Sequence, residues 1–153
     1  LLLSQNPIGD CGAQHLTNLL LSNPTIESLA LVDCDIWGSG CTSLARGLAH
    51  MRGLKQLMVD GEWEDHVDTV LLSMESNMTL THLCTDRSAM LFHWDPDWKS
   101  VDFFLRLNRA DRRMLLEPNV ATSLWPRVLE ASTGDASSLY YMLRHKPELA
   151  SGY

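Results

Sequence analysis

The sequence predicts an α/β solenoid of short parallel strands with outer helices, closed by an all-helical C-terminal segment. Two observations carry this. Between Leu29 and Leu57 the apolar residues recur first at every second position (Leu29, Leu31), then at helical spacing (Leu44, Leu48), and the pattern restarts at Leu57. Adding 28 to Leu1, Leu3, Ile8, Gly12, Leu16 and Leu20 gives Leu29, Leu31, Ile36, Gly40, Leu44 and Leu48. A repeat of one strand and one helix satisfies both.

Taken in order, the first unit places a strand over 1–5, a turn over 6–10, and a helix over 12–21 with Leu16, Leu19 and Leu20 inward. Asn23-Pro24 stops it, because a residue preceding proline is pushed out of the α region. The second unit has strand 28–32, turn 33–37 and a helix over about 40–50. The third keeps Leu54, Leu57 and Val59, so strand 56–60 stands, followed by an acidic loop and a helix over about 65–76. A fourth strand covers 81–85.

Beyond it the repeat signal is lost. Met90, Leu91, Phe92 and Trp94 read as a segment crossing the open end of the core. Asp97 is the expected cap of a helix from Trp98 to about Glu117, with Phe103, Leu107, Ala110 and Met114 as its apolar stripe and Arg106, Arg109 and Arg113 as a solvated stripe beside it. Short amphipathic helices are expected over 124–129 and 135–144. Ser123 and Asp135 cap them, Gly134 marks the turn between them, and Pro147 ends the last.

The repeat pattern resembles the long, ribonuclease-inhibitor-like class of leucine-rich repeat, L-x-x-L-x-L-x-x-N/C-x-L followed by a glycine and a helix with spaced leucines. Ile26, Leu29, Leu31, Cys34 and Ile36 fill the strand and turn positions, and Asn6 stands where Cys34 does one unit earlier. In the third unit Glu62, Glu64 and Asp68 replace the Asn/Cys, the leucine and the glycine, as at the approach to a capping end. The tail, with its LNRA, LWPRVL and LYYMLR pieces, is similar to the tail of uncharacterised leucine-rich-repeat proteins of unicellular algae. The resemblance implies repeats over 1–86 and a helical cap over 87–153. The start inside a strand suggests the C-terminal end of a longer array.

Composition narrows the function. A formal charge of −7 disfavours a phosphate backbone as partner, and no run approaches the roughly 18 apolar residues of a membrane helix. Cys11, Cys34, Cys41 and Cys84 lack CxxC spacing and read as reduced structural thiols, which suits the cytoplasm or nucleus. Asn77-Met78-Thr79 is formally a glycosylation sequon, but an asparagine before the opening leucine is ordinary for the repeat.

Residues between the strand leucines point away from the core. That gives a candidate partner-binding face of Ala30, Val32, Gln56, Met58, Asp60, His82 and Asp86, with Leu2, Ser4, Ser28 and Cys84 beside them. Apolar anchors (Ala30, Val32, Met58) and orienting charges (Asp60, Asp86) suit a protein partner. His82, Cys84 and Asp86 share one side of a strand, yet alternate residues stand about 6.6 Å apart and no second Cys/His pair lies in register, so neither a metal site nor a thiol nucleophile is expected. The acidic residues Asp60, Glu62, Glu64, Asp65 and Asp68 lack a calcium-loop pattern, and with Asp33 and Asp35 read as a solvated ridge. The expectation is a non-enzymatic interaction module without cofactor, monomeric or part of a larger chain. The alternative is an adaptor in a ubiquitin-ligase or signalling assembly, whose tail helices dock on the machinery through Trp125, Tyr140 or Tyr141.

Overall fold

A computed structural model describes residues 1–61, 63–85, 95–116, 130 and 134–147. The elements, in order, are α1 (Gly9–Ser22), β1 (Ser28–Leu31), α2 (Gly38–Gly47), β2 (Gln56–Val59), α3 (Val67–Ser76), β3 (His82–Cys84), α4 (Pro96–Arg109) and α5 (Ala136–His145). Short 3-10 turns cover Leu48–His50, Trp63–His66 and Arg112–Leu116. The chain forms two compact units, Leu1–Leu105 and Arg106–Tyr153.

In the first unit the three strands form a parallel sheet in the order β1-β2-β3. Leu29, Leu57 and Leu83 stand in one register row, and Ala30, Met58 and Cys84 in the next. Residues 1–5 extend the sheet beside β1: Leu3 and Gln5 donate to Ala30 O (3.0 Å) and Val32 O (2.8 Å), and Ala30 donates to Leu1 O (3.0 Å). Leu29, Leu31, Leu57, Val59 and Leu83 point to a core completed by Leu44, Leu48, Val70 and Met74 from the helices. Strand period and helical period therefore meet on one side of the sheet.

The turns after the strands repeat a backbone feature. Gln5, Asp33 and Gly61, 28 residues apart, have φ of 62°, 56° and 110°. Only the third is the glycine that this region favours. The buried Cys34 thiol donates to Leu3 O (3.2 Å), one unit back. Asn6 Nδ2 donates to Leu3 O (2.9 Å) and Ser4 O (3.1 Å).

Several expectations are corrected. In α1 the buried side chains are Ala13, Thr17 and Leu20, whereas Leu19 is exposed. Trp63 is fully buried and fills the place in the third unit that Glu64 cannot, its indole N–H donating to Asp60 O (3.1 Å). The helix expected from Trp98 begins at Pro96 and is capped by Asp95, not Asp97: Asp95 Oδ1 accepts from the N–H of Asp97 (2.8 Å) and Trp98 (3.4 Å). Proline fits the first helical position because its missing N–H would have no partner there. The helix ends at Arg109 rather than about Glu117, since Asp111 turns to φ 61°. Trp98, Val101 and Leu105, spaced i, i+3 and i+7, are buried in the core of the first unit, in addition to the expected stripe, of which Leu107, Ala110 and Met114 are buried and Phe103 is half-buried.

In the second unit Asp135 caps α5, accepting from the N–H of Ser137 (3.2 Å) and Ser138 (3.3 Å), and pairs with Arg106 (2.8 Å). The Ser138 hydroxyl, the Ser138 N–H and Arg106 hold its carboxyl below the ordinary value. Arg112 is fully buried; burial pushes its pKa down and Tyr141 opposes that shift. Gly134 takes φ 93° at the turn. The expected helix over 124–129, with Ser123 and Trp125, lies outside the described residues.

Candidate functional site

The outward face of the sheet is built from three rows that run across the strands. Ser28, Gln56 and His82 form the first and Ala30, Met58 and Cys84 the second, which Leu2 extends through its pairing with Ala30. Val32 and Asp60 follow the last paired residues, Leu31 and Val59. Asp86 lies outside the described residues.

The middle row is apolar and accessible at Leu2 (82% exposed) and Met58 (45%). Ala30 between them is only 6% exposed, because a methyl group is overtopped by longer neighbours in register on both sides. It forms the floor of the row. Gln56, His82 and Cys84 are exposed, and Val32 and Asp60 are half-buried.

Two of the polar residues are already engaged. Asp60 Oδ2 accepts the N–H of Asp33 (2.7 Å), which ties the β2 end to the left-handed turn after β1. His82 Nδ1 lies 2.9 Å from the Thr81 hydroxyl. The register gives no sign of the Asp60 tie, because its partner is backbone of the preceding unit. The signal available in the sequence was the 27-residue step from Asp33 to Asp60, one short of the repeat.

A second carboxylate acts across units from the helix side. Asp10 Oδ1 accepts the N–H of Trp37 (2.7 Å) and Oδ2 the hydroxyl of Ser39 (2.8 Å), so a residue of α1 caps the start of α2. The Trp37 N–H, followed by the Ser39 hydroxyl, lowers its pKa from the ordinary 3.8. Trp37 itself is exposed. Between α1 and α2 runs an open polar groove lined by Gln14, Asn18, Thr42, Ser43, Arg46 and His50.

Among the described residues no three His, Cys, Asp or Glu side chains are grouped so as to hold a metal, and no helix is long and apolar enough to cross a membrane. Asn77 of the formal sequon is fully buried. Its Nδ2 donates to Leu48 O (2.6 Å) and its Oδ1 accepts from Thr79 and Leu80 N–H, so its amide carries the turn rather than a glycan.

No family model matches the chain. Ribonuclease inhibitor of Mus musculus is 45% identical over 56 residues and that of Sus scrofa 46% identical over 57. Each match covers 36% of this chain, and the chain spans only 12% of either relative's length. Among solved structures, leiomodin-1 actin-binding site 2 superposes with a TM-score of 0.62 at 22% identity, over 74% of this chain and 66% of that one. With the 28-residue strand-and-helix register and the parallel sheet, these likenesses support repeats of the ribonuclease-inhibitor-like, leucine-rich kind.

Proposed function

We propose that this chain is a non-enzymatic protein-interaction module that binds a protein partner on the outward face of its sheet. The observation that carries this is the accessible apolar row through Leu2 and Met58 with Asp60 at its margin. Apolar side chains anchor a partner by leaving water, and a charge beside them sets its orientation. Val32 and Met58 are the anchors, Ala30 the floor, Gln56 and His82 the polar margin, and Asp60 with Asp86 the orienting charges. The net charge of −7 disfavours nucleic acid. Residues 95–105 are read as closing the core beyond β3, and the chain from about residue 87 as the terminal cap of the array.

The test is a comparative capture from lysate with the native chain and a Val32→Glu, Met58→Glu double variant, whose fold is checked by circular dichroism. Proteins retained by the native chain and lost by the variant are the expected result. Equal capture by both would remove function from this face.

One observation favours the adaptor reading. Tyr140 of α5 is 66% exposed, whereas Tyr141 is half-buried and stacks on His145 with ring centroids 4.2 Å apart. Under that reading Tyr140→Ala loses a binding protein that the double variant keeps.

A further inference from the structure

Charge is unevenly spread over the repeats. Asp33, Asp35, Asp60, Glu64 and Asp65 lie in or beside the turns after β1 and β2, whereas among the described residues no carboxylate lines the groove between α1 and α2. Arg46 and His50 are its titratable residues, in a chain of net charge −7.

The floor of the groove consists of small side chains that satisfy one another. An added Cβ on Gly47 would lie 2.5 Å from Thr17 Cγ2, so glycine at this position lets α2 settle against α1. The Thr17 hydroxyl donates to Ala13 O (2.9 Å) and accepts from the Ser43 hydroxyl (3.4 Å). The walls differ. Gln14 and Asn18 on the α1 side, and Arg46 and His50 on the α2 side, are exposed, and among the described residues their side chains make no hydrogen bond or ion pair. Arg46 offers a fork of donors that matches a carboxylate, and His50 offers a ring N–H in either protonation state.

Spacing selects the ligand. Four residues of helix rise about 6 Å, and alternate residues of an extended chain stand about 6.6 Å apart. Arg46 and His50 are four residues apart, and so are Gln14 and Asn18. Carboxylates at alternate positions of an extended segment therefore reach Arg46 and His50 together, while the two carboxamides, each both donor and acceptor, meet its backbone groups. The groove has a volume of about 640 Å³. A water molecule takes about 30 Å³ of the liquid, so there is room for a length of chain and not merely one ion. At the other end Asp10, which accepts from Ser39, repels a carboxylate and so sets the direction of the segment.

We propose that the groove between α1 and α2 is a docking site for an extended acidic segment of a partner protein, with carboxylates at alternate positions seated on Arg46 and His50. The helices build this site, and it does not rest on the function proposed for the outward face of the sheet.

The probe is the end-blocked peptide Gly-Glu-Ser-Glu-Ser-Gly, titrated at low salt into the isotope-labelled full chain and followed by NMR. The expected result is saturable movement of the Gln14 and Asn18 side-chain amide signals and of Arg46 Nε–H. Arg46→Glu should weaken binding at least about tenfold, and Lys99→Glu, the same change of charge on exposed α4, should leave it within about twofold. With the parent chain, a peptide whose two glutamates are adjacent, Gly-Ser-Glu-Glu-Ser-Gly, should bind at least about fivefold more weakly, because only one carboxylate then reaches its partner. Absence of movement at the groove overturns the proposal, as does equal weakening by the two variants, which would be attraction to charge in general. Equal binding of the two peptides, or displacement by equimolar inorganic phosphate at constant ionic strength, overturns it as well, since the groove would then take a single anion.

Discussion

Asn77 shows how much one side chain can hold. Its carboxamide joins the carbonyl of Leu48 to the N–H groups of Thr79 and Leu80, inside a site closed to water. An unsatisfied buried polar group costs about 1–3 kcal/mol, and Asn77→Ala removes the acceptor that Thr79 and Leu80 N–H share and one of the donors to the Leu48 carbonyl, which keeps the Met51 N–H. We expect the variant to lose about 2 kcal/mol in urea unfolding, at unchanged slope. Loss below about 0.5 kcal/mol would mean that other groups can take over the turn. The sequence marked this position only as an asparagine before the opening leucine. Its role became visible once Leu48 and Met51, more than twenty residues earlier, were placed beside it.

Among the elements, α2 depends most on its neighbour. Its first turn has no cap from its own side chains, and Asp10 of α1 supplies the missing acceptor at the positive end of the helix. The carboxylate titrates lower in the folded chain than in the unfolded one. Its contribution is therefore complete above about pH 4 and is lost as pH falls through the lowered native value. Asp10→Asn should reduce Tm near neutral pH, and the gap to the parent should close toward pH 2. Thermal melts across that range measure it; a gap constant with pH would show that the charge contributes nothing. Sequence periodicity located α2 to within a few residues, since its leucines recur at helical spacing. It could not assign the cap, because Asp10 lies 27 residues before Trp37 and outside any local pattern. At α4 the neighbouring aspartates Asp95 and Asp97 were both eligible, and the proline between them decides for Asp95 once it occupies the first helical turn.

For the molecule as a whole, the first two units were readable because their side chains repeat in register; the third was readable in its strand and helix, and what was missed is how its core is filled. Trp63 replaces a leucine from a neighbouring position, and a scan for leucines passes over it. The same holds at Trp98, which with Val101 and Leu105 completes the core of the first unit from α4. Truncating a fully buried tryptophan costs about 3–5 kcal/mol. Trp98→Ala should therefore destabilise the first unit by that amount in chemical unfolding, whereas the exposed Trp37→Ala should fall within about 0.5 kcal/mol of the parent. Equal effects from the two would mean that the core of the repeats does not extend to α4. The candidate face was legible to the extent that alternate strand residues share a side. Which of them rise above the surface was not, because the height of Ala30 depends on Leu2 and Met58 in other strands.

The tie between Asp60 and the Asp33 N–H has a thermodynamic consequence for recognition. A flexible surface carboxylate gives up rotamer freedom when a partner seizes it, and that loss is subtracted from the affinity. Asp60 has already surrendered its freedom on folding, with one oxygen committed to the turn. A cationic group approaching the face meets a charge whose position was fixed in advance, and the entropy of holding it there belongs to the fold instead of the complex.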